Sequence, residues 1–234
     1  MHNVLIIGAG VAGLACAKYL RDRGLTPLVL EAADGAGGRV RTDRVEGFLL
    51  DRGFQILLTA YPEAQRLLDY DGLGLKPFES GAVIRRPEGF TLLPDPFKNP
   101  GAVLPALTAP VGSLGDKLRI LRLALDTDDA DDAETFRRSA TDTLTYLREY
   151  GFSEKAIDLF FRPFFGGVFL ENDLATSSNF FRFVFKNFYA GDAALPTDGI
   201  GAIPEQLQRM LPPGTVQTGT RVARVEGTTV FLEN

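Results

Sequence analysis

The sequence predicts an α/β fold that begins with a parallel β-α-β unit. The apolar run Val4–Ile7 is short and is bounded by Gly8, which is typical of a strand buried on both faces of a parallel sheet. Apolar residues then recur at helical spacing over 11–23, and a glycine follows as a stop. A second apolar run, Pro27–Leu30, ends at Glu31, so the first 31 residues have the length that a β-α-β unit needs.

The remaining chain predicts a mixture of short strands and helices. Strands are predicted over 48–50 and 54–58, a helix over 61–70, and mainly strands and loops over 75–110. Apolar periodicity then predicts helices over 116–125, 135–150, 153–161, 177–189 and 203–210, with Pro163 ending the third of them. The segments 216–225 and 229–232 predict a terminal hairpin.

Composition excludes several classes of protein. The 234 residues are 45% hydrophobic and 24% charged, which is typical of a folded globular protein, and the net charge of −5 argues against a nucleic-acid partner. The single Cys16 and single His2 exclude a disulfide framework and a zinc site of Cys and His ligands within one chain, so no metal site is predicted. Difficult chemistry would therefore have to come from a cofactor.

The sequence predicts a cytoplasmic protein. No basic segment precedes the first apolar run, and no apolar window approaches the length of about 18 residues that spans a membrane. The uncharged segment 99–115 leaves peripheral membrane contact as an alternative, although its prolines oppose an amphipathic helix.

A glycine motif after the first strand predicts dinucleotide binding. Gly8, Gly10 and Gly13 match the G-x-G-x-x-G pattern of a Rossmann-like unit: the first permits a tight turn, the second lets a pyrophosphate approach, and the third lets helix and strand pack closely. Glu31 follows Gly13 by 18 residues, where its carboxylate can accept hydrogen bonds from ribose hydroxyls and would repel a 2′-phosphate. An NADP site is therefore disfavoured.

The next segment, Glu-Ala-Ala-Asp-Gly-Ala-Gly-Gly-Arg-Val-Arg-Thr at 31–42, resembles a motif of the flavin-dependent amine oxidase superfamily, which includes protoporphyrinogen oxidase and phytoene-desaturase-like enzymes. The resemblance implies FAD as the cofactor and disfavours NAD. It makes Ala32, Gly38 and Arg39 cofactor-binding candidates, since glycines let the chain pass close to a cofactor and a guanidinium can pair with a phosphate. Arg41 and Thr42 are further candidates.

Three later segments extend the resemblance. The segment 50–55 is similar to the part of the family that runs beside the flavin ring, which implies cofactor contact for Gly53 and Phe54. The segment 195–201 is similar to the return into the flavin domain, and its glycines would pass near the flavin. The segment 219–225 resembles the strand that meets the adenine, with Val222 at the contact position.

The resemblance implies a Rossmann-like FAD-binding domain formed by 1–74 and 190–234, incomplete at its C-terminal end, with an α+β, helix-rich substrate domain inserted over 75–189. The implied function is an FAD-dependent oxidoreductase that dehydrogenates a bulky hydrophobic small molecule; no catalytic side chain is assigned. Ten of the 18 phenylalanines lie between Phe160 and Phe188. They would form either an aromatic core or the wall of an apolar substrate tunnel.

A competing hypothesis is that the chain is a truncated or split fragment with a dinucleotide-binding fold but no catalysis of its own. Family members are roughly twice domain size, in line with two or more domains of about 100–200 residues each. In that case a second polypeptide would complete the flavin domain, or the chain would dimerise through exposed apolar surface.

Overall fold

The computed structural model describes residues 4–53, 55–96, 98–128 and 131–233, so His2 and Phe54 lie outside the described residues. Two compact units are present. The first contains the residues up to Pro77 together with those from Ala193 onward, and the second is Phe78–Asp192.

Short strands make up the sheets of both units. Among the described residues they are β1 (Val4–Ile7), β2 (Pro27–Leu30), β3 (Thr42–Val45), β4 (Phe48–Asp51), β5 (Leu57–Leu58), β6 (Lys76–Pro77), β7 (Gly81–Arg86), β8 (Gly89–Pro94), β9 (Ala193–Leu195), β10 (Val216–Gln217), β11 (Val222–Glu226) and β12 (Thr229–Leu232).

The α-helices of the described residues are α1 (Val11–Asp22), α2 (Pro62–Leu67), α3 (Tyr70–Leu73), α4 (Val103–Thr108), α5 (Leu114–Asp128), α6 (Asp132–Arg137), α7 (Thr143–Glu149), α8 (Glu154–Ala156), α9 (Arg162–Phe169), α10 (Ser178–Ala190) and α11 (Ala202–Arg209). A 3-10 turn, Pro100–Ala102, precedes α4, and a π-helical turn, Ile157–Phe161, precedes α9. No helix in this described part of the chain is long and apolar enough to cross a membrane.

The first unit is built on a parallel sheet of order β1-β2-β10, and α1 connects β1 to β2. The predicted β-α-β unit is therefore confirmed. Helices α1 and α11 pack together, and Leu14, Val29 and Leu207 are almost wholly buried in the core beside them. In a second sheet, β9 pairs antiparallel with β5 and β6.

The predicted terminal hairpin is confirmed as β11 and β12, but its first strand begins later than predicted. The run 216–225 divides into β10, which pairs parallel with β2, and β11, which pairs antiparallel with β12. Gly219 has a φ of +63° and lies between the two strands, where a left-handed residue turns the chain. The backbone amide of Thr220 donates to the Glu31 carbonyl, and that of Gly219 donates to the Ala33 carbonyl.

The second unit combines the antiparallel hairpin β7–β8 with helices α4 to α10 around an aromatic core. Its buried members are led by Phe161, Phe165 and Phe181. Rings of this core pack edge to face: Phe165 and Phe181 have centroids 4.7 Å apart at 65°. Such a geometry is favoured by the aromatic quadrupole.

The prediction that Pro163 ends a helix is wrong. The chain continues as helix through Pro163, because the π-helical turn Ile157–Phe161 precedes it and Pro163 enters the first turn of α9, where its missing N–H is tolerated. Helix α9 ends instead at Phe169, and its C-cap residue Leu170 has a φ of +58°.

Two other predicted helices are each divided. The predicted helix over 135–150 becomes α6 and α7, because Asp142 caps α7 by accepting a hydrogen bond from the Thr145 amide at 2.8 Å. The predicted helix over 61–70 ends at Leu67, and Asp69 caps α3. The segment 75–110, predicted to hold little helix, contains α4.

Candidate functional site: a nucleotide-binding cradle

The turn between β1 and α1 has the close packing that its glycines predict. Gly8 has a φ of +95°, a conformation that glycine adopts without strain. A Cβ on Gly13 would lie 2.0 Å from the Gly8 carbonyl oxygen, so only glycine allows α1 to approach β1 this closely. The first and third motif glycines are therefore explained by the backbone alone.

Gly10 differs from these two glycines. It has an ordinary φ of −68°, caps the N-terminus of α1, and has no atom within 4 Å of the position that a Cβ would occupy. Open space at the N-terminal end of a helix is what a phosphate group requires, because the unpaired amides and the helix dipole both favour an anion there.

The Glu31 carboxylate lies beside this turn. One oxygen accepts a hydrogen bond from the Ala9 amide at 2.7 Å, and the other accepts one from the Ala33 amide at 2.8 Å. Each oxygen retains a further acceptor position. The carboxylate therefore holds the turn and is also able to accept from a ribose hydroxyl. Its neighbour Ala32 is exposed.

The second glycine segment folds against the first. Gly37 has a φ of +115° and its amide donates to the Ala9 carbonyl at 2.8 Å. Gly38 has a φ of +59°, and a Cβ there would lie 3.5 Å from the Gly10 α-carbon. The structure thus brings together two segments that are separated by more than twenty residues in the sequence.

Arg39 follows directly and is exposed. Its guanidinium forms no ion pair among the residues that the structure describes, whereas its carbonyl accepts a hydrogen bond from the Gln55 side chain at 2.7 Å. A free guanidinium next to the cradle is available to an anionic ligand. Arg41 is not available in the same way, since it pairs with Asp34 at 2.7 Å.

The remaining cofactor-binding candidates, Gly53, Phe54 and Val222, lie outside the two glycine segments in the sequence. Gly53 is exposed, has a φ of +87°, and lies two residues beyond β4. Val222 begins β11, directly after the segment whose Thr220 amide bonds to the Glu31 carbonyl. Phe54 lies outside the described residues. Among the described residues, no group of three or more His, Cys, Asp or Glu side chains could hold a metal ion.

Sequence reasoning missed a polar junction between the β3–β4 hairpin and the turn before α11. The Thr42 hydroxyl donates to Asp51 at 2.5 Å and accepts from the Gly201 amide at 2.8 Å. The Ile200 amide donates to the same Asp51 oxygen at 3.0 Å. Gly199 and Gly201, expected to pass near a flavin, permit close contact with Thr42. These two glycines were therefore the sequence feature that could have indicated the junction.

The residues of the cradle fit the nucleotide part of FAD. Gly10 and Gly38 leave the backbone accessible, the N-terminus of α1 supplies unpaired amides, Glu31 supplies an acceptor, and Arg39 supplies a cation. This donor and acceptor set suits a pyrophosphate flanked by a ribose.

Comparison with protein families gives a match over residues 11–234 to the model of flavin containing amine oxidoreductases. The chain belongs to the flavin containing amine oxidoreductase family. This match confirms the predicted family of flavin containing oxidoreductases, and the neighbouring structures confirm the α/β fold class. The flavin named in the family's description agrees with the predicted FAD cofactor. The domain limits and the roles of individual cofactor residues stay predictions.

Each of two curated relatives aligns with this chain over only a part of the relative's length. Protoporphyrinogen oxidase 2 of Arabidopsis thaliana is 29% identical over 166 residues, which is 71% of this chain and 32% of that protein. The 15-cis-phytoene desaturase of the same plant is 45% identical over 72 residues, or 30% of this chain and 13% of that protein.

Among solved structures, a triple mutant of putrescine oxidase superposes with a TM-score of 0.65 at 22% identity, covering 94% of this chain and 51% of that one. This likeness shows the fold. This flavin containing amine oxidoreductase chain therefore spans about half of that neighbour's length.

Proposed function

We propose that the protein binds FAD in the cradle between its two glycine segments and oxidises a bulky hydrophobic substrate by dehydrogenation. The observation that carries the proposal is the convergence of Gly10, Gly38 and Glu31 around the open N-terminus of α1. When bound, FAD supplies the capacity to accept a hydride or its equivalent. The protein's contribution is to bind FAD and the substrate and to orient one against the other.

The residues of the cradle have separate tasks in this proposal. The backbone amides at the start of α1 stabilise the pyrophosphate, and Arg39 offsets its charge. Glu31 accepts from the ribose of the adenosine half. Val222 meets the adenine, and Ala32 lies beside that ribose. Gly53 lines the flavin ring.

The division of the chain into two units supports separate roles for its parts. We assign the flavin domain to 1–74 and 190–234 and the substrate domain to 75–189. The observed boundaries, Pro77 with Phe78 and Asp192 with Ala193, lie within three residues of these limits. The insertion would present the substrate while the parallel sheet holds the cofactor.

A hydrophobic substrate is supported by the aromatic composition of the second unit. Phe161, Phe165 and Phe181 are fully buried, which favours the interpretation of these rings as core. Partly buried rings such as Phe160 and Phe188 surround that core and are the ones available to an apolar substrate.

The direct test is flavin uptake by the purified protein. We expect visible flavin absorbance after incubation with FAD and gel filtration, and no retention of NAD in a parallel experiment. A folded protein that retains no FAD contradicts the proposal. Extraction and identification of an apolar molecule that co-purifies with the protein would then define the substrate class.

A second candidate is a dinucleotide-binding protein that does no catalysis by itself and is completed by a second polypeptide or a second copy. It is favoured by exposed apolar side chains on β1, of which Ile7 is 55% exposed. FAD uptake without reduction by any apolar substrate would support this candidate, whereas turnover by the isolated protein would reject it.

We also propose that the second unit makes peripheral contact with a membrane. Helix α4 exposes Leu104 and Leu107, and Leu114, the first residue of α5, is exposed as well. Co-sedimentation with vesicles of neutral and anionic phospholipid tests this contact. A protein that stays in the supernatant with both kinds of vesicle would leave a cytoplasmic location as the simpler prediction.

A further inference from the structure

The junction between the β3–β4 hairpin and the turn before α11 is made by two side chains on one segment and two amides on the other. Thr42 and Asp51 are register partners at the open end of the hairpin, and the Arg52 amide continues the pairing by donating to the Arg41 carbonyl at 2.8 Å. Both side chains therefore point to one place, held by the strands that carry them.

The two amides at this place belong to Ile200 and Gly201, at the turn that leads into α11. Gly201 is the N-cap residue of α11, and the first helical amides, those of Ala202 and Ile203, donate to the carbonyls of Gly199 and Ile200. Thr42 accepts from the Gly201 amide, and Asp51 accepts from the Ile200 amide. The hairpin thus fixes the turn that leads into α11, and a carboxylate near a helix N-terminus is also favoured electrostatically.

The approach is too close for a side chain at Gly199 or Gly201. A Cβ on Gly199 would lie 2.5 Å from the Thr42 hydroxyl oxygen, and one on Gly201 would lie 2.8 Å from the Thr42 nitrogen. The hairpin and the turn are therefore in direct backbone contact, and their relative position is set by the Thr42 and Asp51 hydrogen bonds.

The same helix reaches the nucleotide cradle. Pro204, in the first turn of α11, has its Cγ atom 3.1 Å from the position of a Cβ on Gly37, and the Gly37 amide bonds to the Ala9 carbonyl. A continuous series of contacts thus runs from Asp51 through α11 to the glycine turn. Gly53, predicted to line the cofactor, lies two residues from Asp51.

We propose that Thr42 and Asp51 are positioning residues for FAD, which hold the hairpin leading to Gly53 in fixed register with α11 and the glycine cradle. The inference rests on the proposed function, because it assumes that FAD occupies the cradle. Neither side chain needs to touch the cofactor. Both act through the amides of Ile200 and Gly201.

The test compares FAD affinity and amide exchange in matched variants. Thr42→Val keeps the shape but leaves the Gly201 amide without its acceptor, and Asp51→Ala does the same for Ile200. We expect each to raise the dissociation constant for FAD about tenfold or more, to alter the visible circular dichroism of bound flavin, and to accelerate exchange of those two amides. Thr42→Ser, which keeps the hydroxyl, should restore all three.

Asp198→Asn is the control, since it removes an exposed ion pair with Arg44 (3.1 Å) that joins the same two segments. It should change FAD affinity less than about twofold, as expected for a surface pair. Equal effects of Asp198→Asn and Asp51→Ala would overturn the inference, as would wild-type affinity in folded Thr42→Val and Asp51→Ala proteins.

Two remaining outcomes are also decisive. If Asp51→Ala does not fold, the comparison of Thr42→Val with Thr42→Ser decides the inference by the same criteria. If the wild-type protein itself binds no FAD, the proposed function is rejected, which is a different result from wild-type binding with indifferent variants.

Discussion

The Ala9 amide donates a hydrogen bond of 2.7 Å to the Glu31 carboxylate, across 22 residues of sequence. Glu31 therefore supports the glycine turn from the neighbouring strand as well as offering an acceptor at its edge. The second oxygen holds the Ala33 amide at 2.8 Å, so one side chain fixes the chain on both sides of the predicted ribose position. Charge-assisted bonds of this kind are stronger than neutral ones.

Replacing Glu31 should weaken FAD binding more than it weakens the fold. Glu31→Ala removes the acceptor for both amides and for the ribose, and we expect the dissociation constant for FAD to rise at least about tenfold, or 1.4 kcal/mol. Fluorescence titration with FAD measures this change. Glu205→Gln, which alters an exposed pair on α11, is the control. Equal affinity in Glu31→Ala and Glu205→Gln proteins would contradict the assignment.

The glycine motif predicts that one alanine substitution lowers mainly the stability of the protein and another weakens mainly the binding of FAD. Gly13→Ala places a methyl group 2.0 Å from the Gly8 carbonyl oxygen, so we expect a loss of about 3 kcal/mol in the free energy of unfolding. Gly10→Ala meets open space and should cost less than about 1 kcal/mol, while its methyl group obstructs the phosphate position and weakens FAD binding about tenfold. Urea denaturation and FAD titration separate the two effects. A stable Gly13→Ala protein would contradict the packing.

The aromatic core predicts a large difference between adjacent residues on α10. Phe181 is completely buried and Phe180 is 41% exposed. Phe181→Ala should lower the free energy of unfolding by about 3–5 kcal/mol because it leaves a cavity, whereas Phe180→Ala should cost less than about 1 kcal/mol. Chemical denaturation measures both. Similar losses for the two variants would argue against the core assignment of Phe181.

Asp116 predicts acid sensitivity of the second unit. Burial alone would raise the pKa of this carboxyl, but hydrogen bonds from the amides and hydroxyls of Ser113 and Ser153 outweigh burial and lower the pKa to about 2. The pKa is lower in the folded than in the unfolded state, so the stabilisation is present above about pH 4 and is lost as the pH falls toward 2.

The matched variant for this prediction is Asp116→Asn. We expect it to be less stable than the wild type by about 2 kcal/mol at neutral pH, and the difference to shrink between pH 4 and pH 2. Thermal denaturation across that range measures the difference. A gap that is independent of pH would show that the charge of Asp116 is not responsible.

Exposed apolar side chains on β1 predict self-association. Leu5 is 42% and Ile7 is 55% exposed, and among the described residues β1 pairs with β2 alone. An uncovered strand of this kind favours association. We expect species larger than a monomer at high concentration in analytical ultracentrifugation, and fewer of them in the double variant Leu5→Thr with Ile7→Thr. A clean wild-type monomer at high concentration would contradict this prediction.

The sequence by itself determined the β-α-β unit, the glycine turn and the family. These features depend on residues that are close in the chain: the apolar run of β1, the spacing of α1, and glycines whose conformation or packing excludes a side chain. The triplet from Gly37 to Arg39 is equally local. Short-range patterns of this kind can be read before the chain is folded.

Only the tertiary structure decided the junction of Asp51 with Ile200, which are 149 residues apart, and the parallel pairing of β10 with β2. Neither has a local signal, because an aspartate at the end of a strand and a two-residue apolar run are common patterns. The passage of a helix through Pro163 is similar, since it follows a π-helical turn whose last residue, Phe161, is buried in the core. Long-range hydrogen bonds and packing selected one of several locally acceptable conformations at each of these places.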